Sequence, residues 1–194
     1  MSYLPNILSI LRLLLSPVFF VLIISKNTDL IIFAYFIYIF AAITDYFDGV
    51  LARKYNATSQ FGNFFDPLAD KFLTSFAFMS FVNLGIINIW LVIIVIFRDL
   101  FTTIMRIYKF NGKAGIITSK TAKWKTFIQM VFIFYILTNI ALYSSQIIDF
   151  SLELYNKVLF SEYIDILMVT ITILSVWTLI DYGVSIFAKS STNK

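Results

Sequence analysis

The chain contains no cysteine and no histidine. The first absence excludes disulfides and thiolate nucleophiles, the second excludes imidazole bases, and together they remove the usual zinc ligands. Any metal must be held by oxygen. Charge is scarce too: 13% of the 194 residues are Asp, Glu, Lys or Arg and 60% are hydrophobic, whereas a soluble globular domain is roughly half apolar and a quarter charged. Such a chain belongs in a bilayer. A nucleic-acid partner is excluded as well, because the net charge is only +4 and the basic residues punctuate apolar runs instead of forming a face.

A hydrocarbon core about 30 Å thick takes about 20 apolar residues per helical crossing, so this length holds about six crossings with short connections. The apolar runs predict spans at 7–25, 30–47, 64–82, 86–108, 122–146 and 162–188. The first two are parted by the polar turn Lys26-Asn27-Thr28-Asp29, the second and third by a polar segment from Asp48 to Gly62, and the third and fourth by a tight turn at Asn83-Leu84-Gly85. The first run lacks the basic leader and small-residue cleavage site of a signal peptide, so it reads as a retained helix. With no internal repeat or linker, residues 1–194 read as one all-α integral membrane domain.

Charge sets the expected orientation. With the N-terminus inside, the inner segments collect Arg53, Lys54, Arg106, Lys109, Lys113, Lys120, Lys123, Lys125, Lys189 and Lys194, while the outer ones hold Lys26 and Lys157. The longest outer loop is acidic, with Asp149, Glu153 and Glu162. This is the positive-inside distribution, and it puts both termini in the cytoplasm.

The stretch that carries chemistry runs Asp45-Tyr-Phe-Asp48-Gly49-Val-Leu-Ala52-Arg53 and, after an intervening segment, Gly62-Asn-Phe-Phe-Asp66-Pro-Leu-Ala-Asp70. On helices, Asp45 and Asp48 share one face, and so do Asp66 and Asp70. The pairs flank a short inner loop between antiparallel spans, so the four carboxylates can converge at the cytoplasmic boundary. Together and unpaired they would be protonated by desolvation and mutual repulsion, which calls for divalent cations. Hard oxygen donors favour Mg²⁺ or Mn²⁺, and Mg²⁺ commonly bridges carboxylates to substrate phosphates. Gly49 and Gly62 leave room for a ligand or neighbouring helix to approach the backbone.

These residues match D-x2-D-G-x2-A-R-x8-G-x3-D-x3-D at every fixed position, and on that motif the chain resembles the CDP-alcohol phosphotransferase family. The resemblance implies a six-helix, homodimeric membrane enzyme with a cytoplasmic active site, in a bacterium at the inner membrane. It further implies two metal ions, with Asp45, Asp48 and Asp66 as ligands, Asp70 as both ligand and base, and Gly49, Ala52, Arg53 and Gly62 around the cytidine nucleotide. Asn6 and Arg12 are further candidates for that nucleotide pocket, although Arg12 fits equally well as a side chain reaching out to lipid phosphates. The implied reaction is an in-line displacement without a covalent intermediate, in which Asp70 takes the proton of an alcohol that attacks the lipid-side phosphorus of a CDP-lipid and releases CMP. A transporter or a silent scaffold, the readings from other classes, leaves the complete motif unexplained.

The basic residues bear on the acceptor. Arg98 lies well inside the fourth predicted span and needs a partner, for which Asp99 and Asp181 are candidates. Arg106 lies two turns nearer the cytoplasm. Lys123 and Lys125 are two apart and point to different helix faces, so at most one of them faces a shared pocket. Arg98, Arg106, Lys123 and Lys125 are the candidates for binding an anionic acceptor. The segments Leu4-Pro-Asn-Ile-Leu-Ser-Ile-Leu-Arg12, Asp66-Pro-Leu-Ala-Asp-Lys71 and Lys123-Trp-Lys-Thr-Phe-Ile-Gln129, together with Arg98 and Arg106, are similar to the branch that uses glycerol 3-phosphate and CDP-diacylglycerol. The branch that instead adds phosphatidylglycerol to form cardiolipin is the alternative.

Overall fold

The computed structural model describes residues 4–55, 60–110, 120–146 and 151–191. The described residues are helical throughout, apart from turns, and form α1 (Leu4–Ile23), α2 (Thr28–Tyr55), α3 (Gln60–Asn83), α4 (Ile89–Phe110), α5 (Lys120–Ser145), α6 (Leu152–Leu159) and α7 (Glu162–Ser191).

Local chemistry sets several helix ends. Asn27 caps α2 by accepting the Asp29 N–H at Oδ1 (2.9 Å), and Asn88 caps α4 in the same way through the Trp90 N–H (2.9 Å). Ser151 caps α6, where its Oγ accepts from the Leu154 N–H. The end of α3 is a Schellman motif: Ile86 N–H bonds the Phe81 carbonyl, Gly85 N–H bonds that of Val82, and Gly85 has φ +74°. Ile86 and Phe81, the apolar pair that accompanies this motif, are both buried.

The helices meet along α1 with α2 and α3, α3 with α4, α4 with α7, and α2 and α7 with α5, while α6 packs beside α5. Phe19, Phe78, Phe81, Ile133, Ile136 and Leu137 fill the middle. Small residues let the backbones approach: Ala34, Ala41 and Ala77 are fully buried, as are Ser16, Ser80 and Ser175, whose hydroxyls bond carbonyls of their own helices. The outer surface is apolar instead of polar, with Trp90, Phe97, Tyr163 and Trp177 among its most exposed side chains. Among the described residues, Thr121–Ser145 and Leu152–Val184 are long and apolar enough to cross a membrane, and Ile7–Ile23 and Thr28–Thr44 are shorter apolar stretches.

Two differences from the sequence reading emerge, the first of them at the site. The polar segment expected from Asp48 to Gly62 is largely helix, since α2 continues to Tyr55 and α3 starts at Gln60. The loop expected between the last two spans contains α6, whose apolar residues are too few for a crossing.

Candidate active site

Asp45 and Asp48 lie in α2, and Asp66 and Asp70 lie in α3. Each pair therefore has the one-turn helical spacing that puts both residues on one face. Gly49, Ala52 and Arg53 follow in α2, Gly62 is in the first turn of α3, Asn6 is in α1 and Arg106 is in α4. The side chains of Asn6, Asp45, Asp48, Ala52, Arg53, Asp66 and Arg106 lie outside the described residues.

The Asp70 side chain is described, and it is partly exposed. Its Oδ2 is 3.0 Å from Lys71 Nζ, and Thr74 Oγ1 donates to the Asp70 and Lys71 carbonyls. Among the described residues no three acidic side chains gather as a metal site, because of the four aspartates only Asp70 contributes a described side chain. The donor chemistry still fits a divalent cation: two carboxylate pairs on helical backbones, with Asp70 accessible at its surface.

A buried ionic network centres on Asp99. Its Oδ1 accepts from Lys125 Nζ (2.5 Å) and Arg98 Nη1 (2.9 Å), and its Oδ2 accepts from Gln129 Nε2 (3.4 Å). Arg98 also donates through Nε to the Ser175 carbonyl (3.2 Å) and through Nη2 to Thr178 Oγ1 (2.6 Å). Arg98, Asp99 and Lys125 are all buried, and isolated charges there would be strongly unfavourable, so the hydrogen bonds have to be shared among them. The network ties α4 to both α5 and α7. Of the two partners expected for Arg98, Asp99 is the one it meets; Asp181 is exposed and makes no ion pair among the described residues.

A cavity of about 370 Å³ opens between α3, α4 and α5. Its lining includes Lys71, Arg98, Lys123, Thr102, Thr103 and Thr126. Cations and hydroxyls from three helices form a donor-rich wall suited to phosphate oxygens. The structure thus brings Arg98 and Lys123 to one cavity and directs Lys125 away from it, onto Asp99. Arg98 uses three of its five N–H groups in the network, which leaves two for a ligand. Lys71 and the threonines were not singled out in the sequence. Lys71 had a signal, its place directly after Asp70, but nothing in the spacing tells which way its stem turns. Arg12 is buried within the bundle and does not reach outward.

Comparison with known proteins bears on the family. The family model described as CDP-alcohol phosphatidyltransferase matches residues 2–177. Several curated relatives bear the name CDP-diacylglycerol–glycerol-3-phosphate 3-phosphatidyltransferase. The one from Cereibacter sphaeroides is 39% identical over 134 residues, covering 66% of this chain and 59% of its own length. That from Mycoplasma genitalium is 42% identical over 96 residues, or 50% of this chain and 41% of the relative. That from Rickettsia typhi is 33% identical over 130 residues, or 67% of this chain and 73% of the relative. The chain thus spans less than two thirds of the first two relatives and more of the third. With the motif, the helical bundle and a family match over most of its length, the chain belongs to the CDP-alcohol phosphatidyltransferase family.

Proposed function

We propose that this protein transfers the phosphatidyl group of CDP-diacylglycerol to glycerol 3-phosphate, giving phosphatidylglycerophosphate and CMP. The observation that carries the choice of acceptor is the cavity lined by Lys71, Arg98 and Lys123 beside Asp70. Lys71, Arg98 and Lys123 line it and no described carboxylate does, so its wall carries an excess of positive charge. A phosphomonoester, with a charge of about −1.5 to −2 at neutral pH, answers that excess. The names of the relatives support the same donor and acceptor.

In the proposed reaction Arg98 and Lys123 hold the acceptor's phosphate, and Asp70 removes the proton from its free hydroxyl. The hydroxyl oxygen attacks the lipid-side phosphorus in line, the bond from that phosphorus to the bridging oxygen breaks, and CMP leaves with the electron pair. Arg53 engages phosphate oxygens of the nucleotide as a guanidinium fork, with Gly49, Ala52, Gly62 and Asn6 shaping its surroundings. Asp45, Asp48, Asp66 and Asp70 would hold two Mg²⁺ or Mn²⁺ ions, whose chemistry when bound is to neutralise the charge of the pyrophosphate. Residues 1–194 act in this reading as one domain with six crossings. Both termini and the aspartates face the cytoplasm, in a homodimer in a bacterial inner membrane.

The test is a parallel acceptor assay. Purified protein with CDP-diacylglycerol and Mg²⁺ is offered glycerol 3-phosphate, phosphatidylglycerol, serine and inositol phosphate, and CMP release is followed. Glycerol 3-phosphate should be turned over with the highest kcat/KM. A preference for phosphatidylglycerol would replace this reading with the cardiolipin-forming one.

A further inference from the structure

Lys71 follows Asp70 directly in α3. Adjacent residues on a helix point about 100° apart and do not ordinarily meet. Here the lysine stem turns back, so that Nζ lies 3.0 Å from Asp70 Oδ2 while the same side chain lines the cavity with Arg98 and Lys123. It is well covered, at 15% exposed. Lys125, a buried lysine nearby, is engaged by Asp99 and does not line the cavity. An ammonium has three donors, and Lys71 is seen to give one to Asp70.

We infer that Lys71 binds the acceptor's phosphate alongside Arg98 and Lys123, and that its contact with Asp70 sets the distance between that phosphate and the base, making Lys71 a specificity residue for short phosphorylated alcohols. This rests on the acceptor reading above. Charge-assisted hydrogen bonds run about 2.7–2.9 Å, so a carboxylate oxygen and a phosphate oxygen on one ammonium lie within about 6 Å of each other. A hydroxyl on a short carbon chain attached to that phosphate then falls within reach of Asp70. An alcohol without the phosphate gains nothing from Lys71 and is not held in register.

Steady-state kinetics on the purified full-length protein with Mg²⁺ test this. In Lys71→Gln, loss of a charged hydrogen bond should raise the KM for glycerol 3-phosphate about tenfold to a hundredfold. The KM for CDP-diacylglycerol should move less than about twofold, as befits a residue dedicated to one substrate. Inorganic phosphate, used as a competitor of the acceptor, should weaken in parallel, and Lys71→Arg should restore most of the affinity. Lys71→Met, which keeps the length of the apolar stem, repeats the test should the glutamine variant not fold. An unchanged KM for glycerol 3-phosphate, an equal rise for both substrates, or a loss confined to kcat would each overturn the inference. A wild-type protein that does not use glycerol 3-phosphate would overturn the acceptor reading and this inference with it. Use by the wild type with no change in the variants would overturn this inference alone.

Discussion

Lys123 and Lys125 stand two residues apart on α5 and end in different chemistry. Lys123 lines the cavity, whereas Lys125 is buried against Asp99. Helical geometry made it legible that both would not face one pocket, but not which would turn inward, because that depends on a carboxylate on another helix. Asp99 is the pivotal residue, since it meets two buried cations and Gln129. Asp99→Asn leaves Arg98 and Lys125 without a carboxylate among the described residues and should destabilise the protein by about 3–5 kcal/mol. Lys125→Met leaves Asp99 still paired with Arg98 and fills the space with an apolar chain, so its cost should be clearly smaller. The double variant should recover part of the Asp99→Asn loss, because one of the stranded charges is gone. Thermal unfolding in detergent measures all three. Equal losses from the two single variants would mean that Arg98 and Asp99 do not form a self-sufficient pair.

At the scale of elements, hydropathy located the helices but misjudged some of their ends. A polar residue ends a membrane-compatible run without ending a helix, and α2 illustrates this by carrying helical backbone through Asp45, Asp48, Arg53 and Lys54 to Tyr55. The short α6 went unread because Leu152, Leu154, Tyr155, Val158 and Leu159 form only a stripe on two turns of helix, too short to register as a span. Where a turn has its own residue signature, the reading was closer: Asn83-Leu84-Gly85 was legible as a turn, and Gly85 is the left-handed residue of a Schellman cap. No heavy atom lies within 4 Å of where a Gly85 β-carbon would sit. Gly85→Ala should therefore cost only the backbone penalty of a left-handed conformation, about 1–2 kcal/mol. Its Tm should fall while kcat and KM stay as in the wild type, since Gly85 lies roughly 20 Å along the helix direction from Asp70. Gly85→Asn should fall less, as asparagine tolerates that conformation better. A kinetic change at unchanged Tm would show that the turn communicates with the site.

For the whole molecule, composition carried the membrane reading and the motif carried the family, while the donor-rich cavity between α3, α4 and α5 was out of reach. It is built from residues as far apart in sequence as Lys71 and Thr126, and only the packing of three helices brings them together. Orientation rests on the distribution of lysine and arginine, and the absence of cysteine makes it testable without background. In the proposed topology α6 faces the outside and the C-terminus the cytoplasm. Asn156 is exposed on α6, so in Asn156→Cys the single thiol should react with a membrane-impermeant maleimide in intact cells. The thiol of Lys194→Cys should react only after permeabilisation. Each variant should retain transferase activity, which ties the labelling to folded protein. The reverse pattern would put Arg53, Lys123 and the aspartates on the outer side. A nucleotide-activated lipid that presents its head group to the cytoplasm would then not meet them, and the proposed reaction would fall along with the topology.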